Sequence, residues 1–232
     1  MKKIPIIKTC IVLILMTSCN SLTRNKVITL TENEKIFCDN LKIDSSIIHE
    51  IRRFNTNLIE PFHYSLSKTI ENGKESEVDP IFLKGIVFKE QHSKSYDIVF
   101  NLKNELKRKG YTIILLENNF NIGHQQDVIG VLKTADKYEV LKEIQTDGIN
   151  YDISNDSLRN IIRQLDKKYS LELIGASGDW CEFVIHNEPK DWLEFAKEIY
   201  KICPDVVDQG TGSLNSLADE MKKTKRLYFW WD

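Results

Sequence analysis

The sequence has no surplus of either charge: 34 acidic against 32 basic side chains leave a net charge of -2. Binding to a phosphate backbone demands a basic surplus on some face, so nucleic acid is not an expected partner. Two local basic clusters, Lys107-Arg108-Lys109 and Lys222-Lys223 with Lys225-Arg226, fall where helices are expected to end. Positive charge there complements the helix dipole. Cysteine is sparse. Of five, Cys10 and Cys19 lie near the N-terminus and Cys38, Cys181 and Cys203 in the body of the chain. Three cannot all pair, and their spacing matches no metal site. Cys181 and Cys203 sit among apolar residues, where a buried small hydrophobe is the first reading and a mutual disulfide the second. The histidines (His49, His63, His92, His124, His186) are scattered, with no spaced pair of the metal-ligating kind. Gly210-Thr211-Gly212 lacks the lysine of a phosphate-binding loop. No catalytic residue, no metal ligand and no cofactor is assigned from these features.

Long hydrophobic runs are missing as well. The apolar run at 10–16 is much shorter than the roughly 20 residues a membrane span needs. It follows Lys2, Lys3 and Lys8 and precedes Thr17-Ser18-Cys19, the grammar of an export signal. The arrangement resembles a bacterial lipoprotein signal, although Met16 is an unusual residue three before the cysteine. That resemblance implies removal of residues 1–18, lipidation of Cys19 and attachment to a membrane through the lipid, because two acyl chains suffice for stable anchoring. An ordinary secretory signal is the alternative. Asn20 in place of Asp implies the outer membrane, by the rule known for enteric bacteria. The expected location is the bacterial cell envelope, periplasmic or surface-facing.

Residues 20–44 are polar and read as a tether with at most one short strand, within a poorly defined segment that spans 19–79. A short helix is expected at 47–54, with Pro61 and Asn72-Gly73 breaking regular structure and a charged loop at 71–79. From residue 80 the pattern sharpens into one α+β domain reaching 232. Strands are expected at 82–88, 111–116, 128–132, 171–174 and 181–185, with a turn at 175–178. Helices are expected at 95–109, from Asp136 with a capping box to Glu139, from Ser154 with Ile153 and Leu158 as a staple, from Pro189 to Pro204, and from Ser213.

The chain ends on Leu227-Tyr228-Phe229-Trp230-Trp231-Asp232, which holds two of the four tryptophans. Burying one such side chain is worth roughly 1.5–3 kcal/mol, so this run is expected to be a strand tied into the core, its adjacent tryptophans on opposite faces. Residues 101–109 parallel 160–168, and 138–144 parallel 192–199, both of the latter ending Lys-Glu-Ile. This internal echo predicts two βαββα-like, ferredoxin-like halves and an antiparallel sheet with helices packed on one face.

Three loops carry polar residues that packing does not require: 145–152, the 178–180 hairpin and 203–212. With the chain end they nominate a candidate binding face of Thr146, Asp147, Asn150, Tyr151, Asp179, Trp180, Asp205, Asp208, Gln209, Trp231 and Asp232. The same residue types make Asx turns and helix caps, which is the plainer reading of each alone. Thr146-Asp147-Gly148-Ile149-Asn150-Tyr151, Cys203-Pro204-Asp205 with Asp208-Gln209-Gly210, and the Leu-Tyr-Phe-Trp-Trp-Asp ending together resemble the bacterial domain-of-unknown-function family 4253. That family ends in Leu-Tyr-Leu-Trp-Trp-Asp, so Phe229 is a conservative departure. The resemblance runs from about residue 84 to 232 and implies a fold and a candidate site without a reaction. Two functions are expected in this order. The first is a non-catalytic, lipid-anchored binding protein, of the immunity kind among others, with a protein partner. The second is a hydrolase using Asp147, Asp179, Asp205 or Asp208, with or without a metal ion.

Overall fold

The computed structural model describes residues 29–71, 74–120 and 122–232, with backbone only over 64–80. The expected leader at 1–18, Cys19, Asn20 and residues Asn72 and Gly73 lie outside the described residues. Among those described, no helix is long and apolar enough to cross a membrane.

Seven strands form one sheet: β1 (Ile59–Glu71), β2 (Lys74–Glu90), β3 (Thr112–Glu117), β4 (Asp127–Leu132), β5 (Leu171–Ala176), β6 (Trp180–Ile185) and β7 (Arg226–Trp230). Their order is β1-β2-β4-β3-β5-β6-β7, antiparallel except at the parallel β3–β5 seam, where Leu115 is opposite Gly175. The helices are α1 (Glu32–Leu41), α2 (Ser46–Arg52), α3 (His92–Arg108), α4 (Lys137–Ile144), α5 (Asn155–Tyr169), α6 (Trp192–Ile202) and α7 (Leu214–Thr224), and a π turn spans Val206–Thr211. The class is α+β, as the sequence predicts.

The helices cover both faces of the sheet, contrary to the expected single face. Strand β3 explains why. Four successive apolar residues are buried, Ile113 and Leu115 toward one core and Ile114 and Leu116 toward the other. A strand with no polar alternation needs cover on both sides. Helices α1, α2 and α3 supply one core, and α4 to α7 the other. The two halves meet at the parallel seam as α3-β3-β4 and α5-β5-β6, with β2 and β7 in matching outer positions. Helices α3 and α5 fall on opposite sides of the sheet.

The first third departs most from expectation. Residues 32–41 form α1 rather than a tether. Thr31 and Glu34 close a capping box, Phe37 and Cys38 are buried, and the buried Glu34 accepts from Arg52 on α2. Residues 71 and 74–79 continue strands β1 and β2, with Ser67 opposite Val78 and Glu71 opposite Lys74, so the expected loop is a hairpin ribbon. The expected boundary at residue 80 therefore falls inside β2. Pro61 does not break β1. It stands on the edge strand, beside a register shift between Pro61 and His63, where a missing N–H costs no ladder bond.

Smaller corrections have local causes. Helix α6 is opened by Asp191, whose carboxylate accepts from the N–H groups of Leu193 and Glu194, and not by Pro189. At α4, Asp136 accepts from the Tyr138 N–H, while Glu139 pairs with Lys142 instead of reaching back to complete a box. Gly175 and Ala176 belong to β5 rather than to a turn. Cys38, Cys181 and Cys203 are buried free thiols, and burial raises the pKa of each. Strand β7 lies at the sheet edge with both faces occupied. Leu227, Phe229 and Trp231 enter one core, and Tyr228 and Trp230 pack on the other.

Candidate functional site

Two of the three nominated loops and the chain end meet at one carboxylate. Asp205, only 3% exposed, follows α6 at the start of the π turn. Its Oδ1 accepts from the Tyr151 hydroxyl at 2.5 Å and from Gln209 Nε2 at 3.1 Å, and its Oδ2 accepts from the Asp232 N–H at 3.0 Å. Burial opposes its charge, but these three donors outweigh burial and hold the carboxyl below its usual range. The same bond, with desolvation and the Asp205 charge behind it, pushes the Tyr151 hydroxyl up to about 12. A phenol, a side-chain amide and a backbone N–H from three separate segments are thus held on one anion.

Trp231 closes the arrangement from the other side. Its backbone N–H donates to the Asp179 carbonyl at 3.0 Å and its indole N–H to the Ile202 carbonyl at 3.3 Å. Its ring stacks parallel to Phe229, with centroids 5.6 Å apart. Gly148 lies flat on this indole: a Cβ there would sit 2.8 Å from Trp231 Cε2. The loop over Gly148 is itself cinched by reciprocal bonds between Gly148 and Ile153, and Asp147 N–H donates to the Gly178 carbonyl at 2.8 Å.

Tyr151, Asp205, Gln209, Trp231 and Asp232 therefore converge, and the backbones of Asp147 and Asp179 join them. Asn150 lies exposed on the rim beside Ile149, which is 64% exposed. Three nominated residues stand apart. Thr146 points inward, fully buried, with its Oγ1 lacking a hydrogen-bond partner. Trp180 projects to the opposite face of the sheet and stacks on Tyr228. Asp208 accepts from Tyr200 on α6. The carboxylates serve turns and locks: Asp147 Oδ1 accepts from the Ile149 N–H two residues on, an Asx turn. No group of three or more His, Cys, Asp or Glu suited to a metal ion occurs among the described residues.

Sequence reasoning missed a second set of polar residues, which lines a cavity of about 460 Å³ at the β7 edge of the sheet, between α3, β6 and β7 on one side and α7 with the π turn on the other. At its edge His92 Nδ1 bonds the fully buried Asp127 at 2.9 Å, and Asp127 also accepts from Ser95 Oγ and the Asn119 N–H. In its floor the buried Glu182 accepts from the Tyr96 hydroxyl at 2.6 Å and from Arg226 at 3.2 Å. Desolvation raises the Glu182 carboxyl despite both bonds. The Arg226 guanidinium lies 4.2 Å over the Tyr96 ring, so this residue is part of a cavity wall rather than a solvated helix end. His92 and Asp127 are 35 positions apart, and Tyr96 and Glu182 are 86, so no local spacing announces them. A further cavity of about 430 Å³ opens at the start of β3 and β5, where the lining charges pair with one another as Lys103–Glu172, Lys137–Asp166 and His186–Glu172.

Residues 128–232 match the family model described as Domain of unknown function (DUF4253). The match covers the Asp205 cluster entire and omits α1 to α3, β1, β2 and β3. No curated protein and no solved structure matches the chain.

Proposed function

We propose that this chain, whose residues 128–232 belong to the DUF4253 family, is an exported, lipid-anchored protein that binds a protein partner through the rim around Asp205. The observation that carries the reading is the Asp205 lock. It fixes two segments and the chain end with bonds that leave Ile149 and Tyr151 projecting at 64% and 38% exposure. A rigid rim loses little conformational freedom on association, and a protruding aliphatic–aromatic pair is the kind of anchor that interfaces use. Exposed Asp152, Asp179 and Asp232 belong to the same loops and the chain end, so the partner surface is apolar at the centre and basic around it. An immunity-type role, in which the partner is neutralised by being covered, is the specific form of this proposal.

The hydrolase alternative needs nominated carboxylates free to act on a substrate. Of the four nominated carboxylates, Asp205 is held by three donors, Asp147 makes an Asx turn and Asp208 accepts from Tyr200, which leaves only the exposed Asp179 and favours binding over catalysis. Anchoring rests on the leader grammar and on Cys19 as the lipidated residue. The test is capture of partners from an envelope fraction by the full chain and by Ile149→Asp, a change at an exposed position. A saturable partner retained by the wild type and lost by the variant, with melting temperature unchanged, is the expected result. Equal capture by both sinks the rim assignment. Incorporation of labelled palmitate, abolished in Cys19→Ala, checks the anchor separately.

A further inference from the structure

We propose that the cavity walled by His92, Tyr96, Phe120, Glu182, Tyr228 and Trp230 is a binding site for a small organic ammonium ion carrying a planar apolar body. Its volume of about 460 Å³ suits a small molecule, for which sites of roughly 300–1,000 Å³ are usual. Tyr96, Phe120 and the half-buried Tyr228 and Trp230 line one side, and α7 and the π turn, with Leu217 and Met221 among them, line the other. Aromatic faces carry negative potential and attract cations.

Two carboxylates stand among the polar groups of the lining. Asp127 engages His92 at Nδ1, and the imidazole lies at the cavity edge. The carboxylates of Glu182 and Glu220 line the same space. The only lysine or arginine in the lining is Arg226, and it is already engaged by Glu182 and by the rings of Tyr96 and Phe100 at 4.2 and 5.5 Å. Arg226 is an internal cation on this wall, held by the same aromatic and carboxylate chemistry that a ligand ammonium would meet on the Tyr228–Trp230 side. With Arg226 and Glu182 offsetting each other, Glu220 leaves the lining one negative charge for the ligand to neutralise.

The experiment is calorimetric titration of the full chain with phenethylammonium, and with 2-phenylethanol and 3-phenylpropionate as neutral and anionic probes of similar size. Saturable binding of phenethylammonium at least tenfold tighter than of either other probe is expected. Glu220→Gln, at an exposed helical position, should weaken it several-fold, and Glu182→Gln by more, with thermal melts recorded alongside. Equal affinity for the three probes, no saturation with phenethylammonium, or unchanged affinity in Glu220→Gln overturns the proposal. Should Glu182→Gln fail to fold, the Glu220 variant and the probe series decide alone.

Discussion

Tyr151 donates its phenolic proton to Asp205 at 2.5 Å, joining two residues 54 positions apart in the chain. The bond ties the short turn after Gly148 to the turn that leaves α6, and Asp205 binds the chain end through the Asp232 N–H. A charge-assisted bond of this kind contributes more than a neutral one, and removing the acceptor leaves donors unpaired. Asp205→Ala is expected to cost about 3 kcal/mol in urea unfolding, by the usual worth of bonds to a charged group. Tyr151→Phe should lower stability in the same direction, and the double variant should lose less than the sum of the two. Full additivity would show that the two residues do not act as a unit.

Acid should weaken this lock and strengthen a different group. The Asp205 carboxyl sits below its ordinary value of 3.8, so its stabilisation is present above pH 3.8 and is lost as pH falls through the lower folded value. Glu182 has the opposite sign. Its carboxyl is raised above 4.5 by desolvation, so its contribution is whole below pH 4.5 and declines as pH rises through the folded value. Stability measured at a series of pH values should therefore show Glu182→Gln gaining on the wild type as pH rises from about 4.5. Asp205→Asn should approach the wild type only below about 3.8. Parallel curves for Glu182→Gln and the wild type would remove Glu182 from the set of titrating groups.

Periodicity and capping chemistry made most of the second half legible. Ser154 and Ser213 cap α5 and α7 as expected, because a side-chain oxygen placed three residues before an N–H has a local geometric consequence. The loop motifs nominated Asp205, Tyr151 and Asp232 one by one, but their meeting rests on a hydroxyl and a backbone N–H from distant segments, which spacing does not display. The first third was opaque for a different reason. Helix α1 buries only Glu34, Phe37 and Cys38 and hides its acid in an ion pair with Arg52, a contact that composition cannot display. The His92–Asp127 and Tyr96–Glu182 pairs are tertiary products of α3 lying across β4 and toward β6. Nothing in the spacing of those residues distinguishes them from solvated surface.

Gly148 tests how tightly the chain end is held. An added methyl would lie 2.8–2.9 Å from three atoms of the Trp231 indole, a ring pinned by its N–H bond to Ile202 and by its stack on Phe229. The indole cannot yield without losing one of those contacts. Gly148→Ala should therefore destabilise by about 1–3 kcal/mol, the usual range for overpacking a filled site. Tryptophan emission should shift to the red as Trp231 is displaced toward water. An unchanged spectrum with unchanged stability would mean that the loop, and not the indole, gives way.

Thr146 offers the reverse case, a nominated residue whose polar atom harms the fold. Its side chain is fully buried and its Oγ1 finds no partner, although its backbone is well used: the N–H donates to Leu141 and the carbonyl accepts from Asn155 Nδ2 at 2.7 Å. Burying an unpaired hydroxyl costs on the order of 1–3 kcal/mol. Valine keeps the branched shape without the hydroxyl, and the backbone bonds do not depend on the side chain. Thr146→Val should raise unfolding stability by about 1 kcal/mol while leaving partner capture by the Ile149–Tyr151 rim unchanged. A loss of stability would mean that the hydroxyl has a hydrogen-bonded role in solution. A loss of capture without a loss of stability would return Thr146 to the binding face.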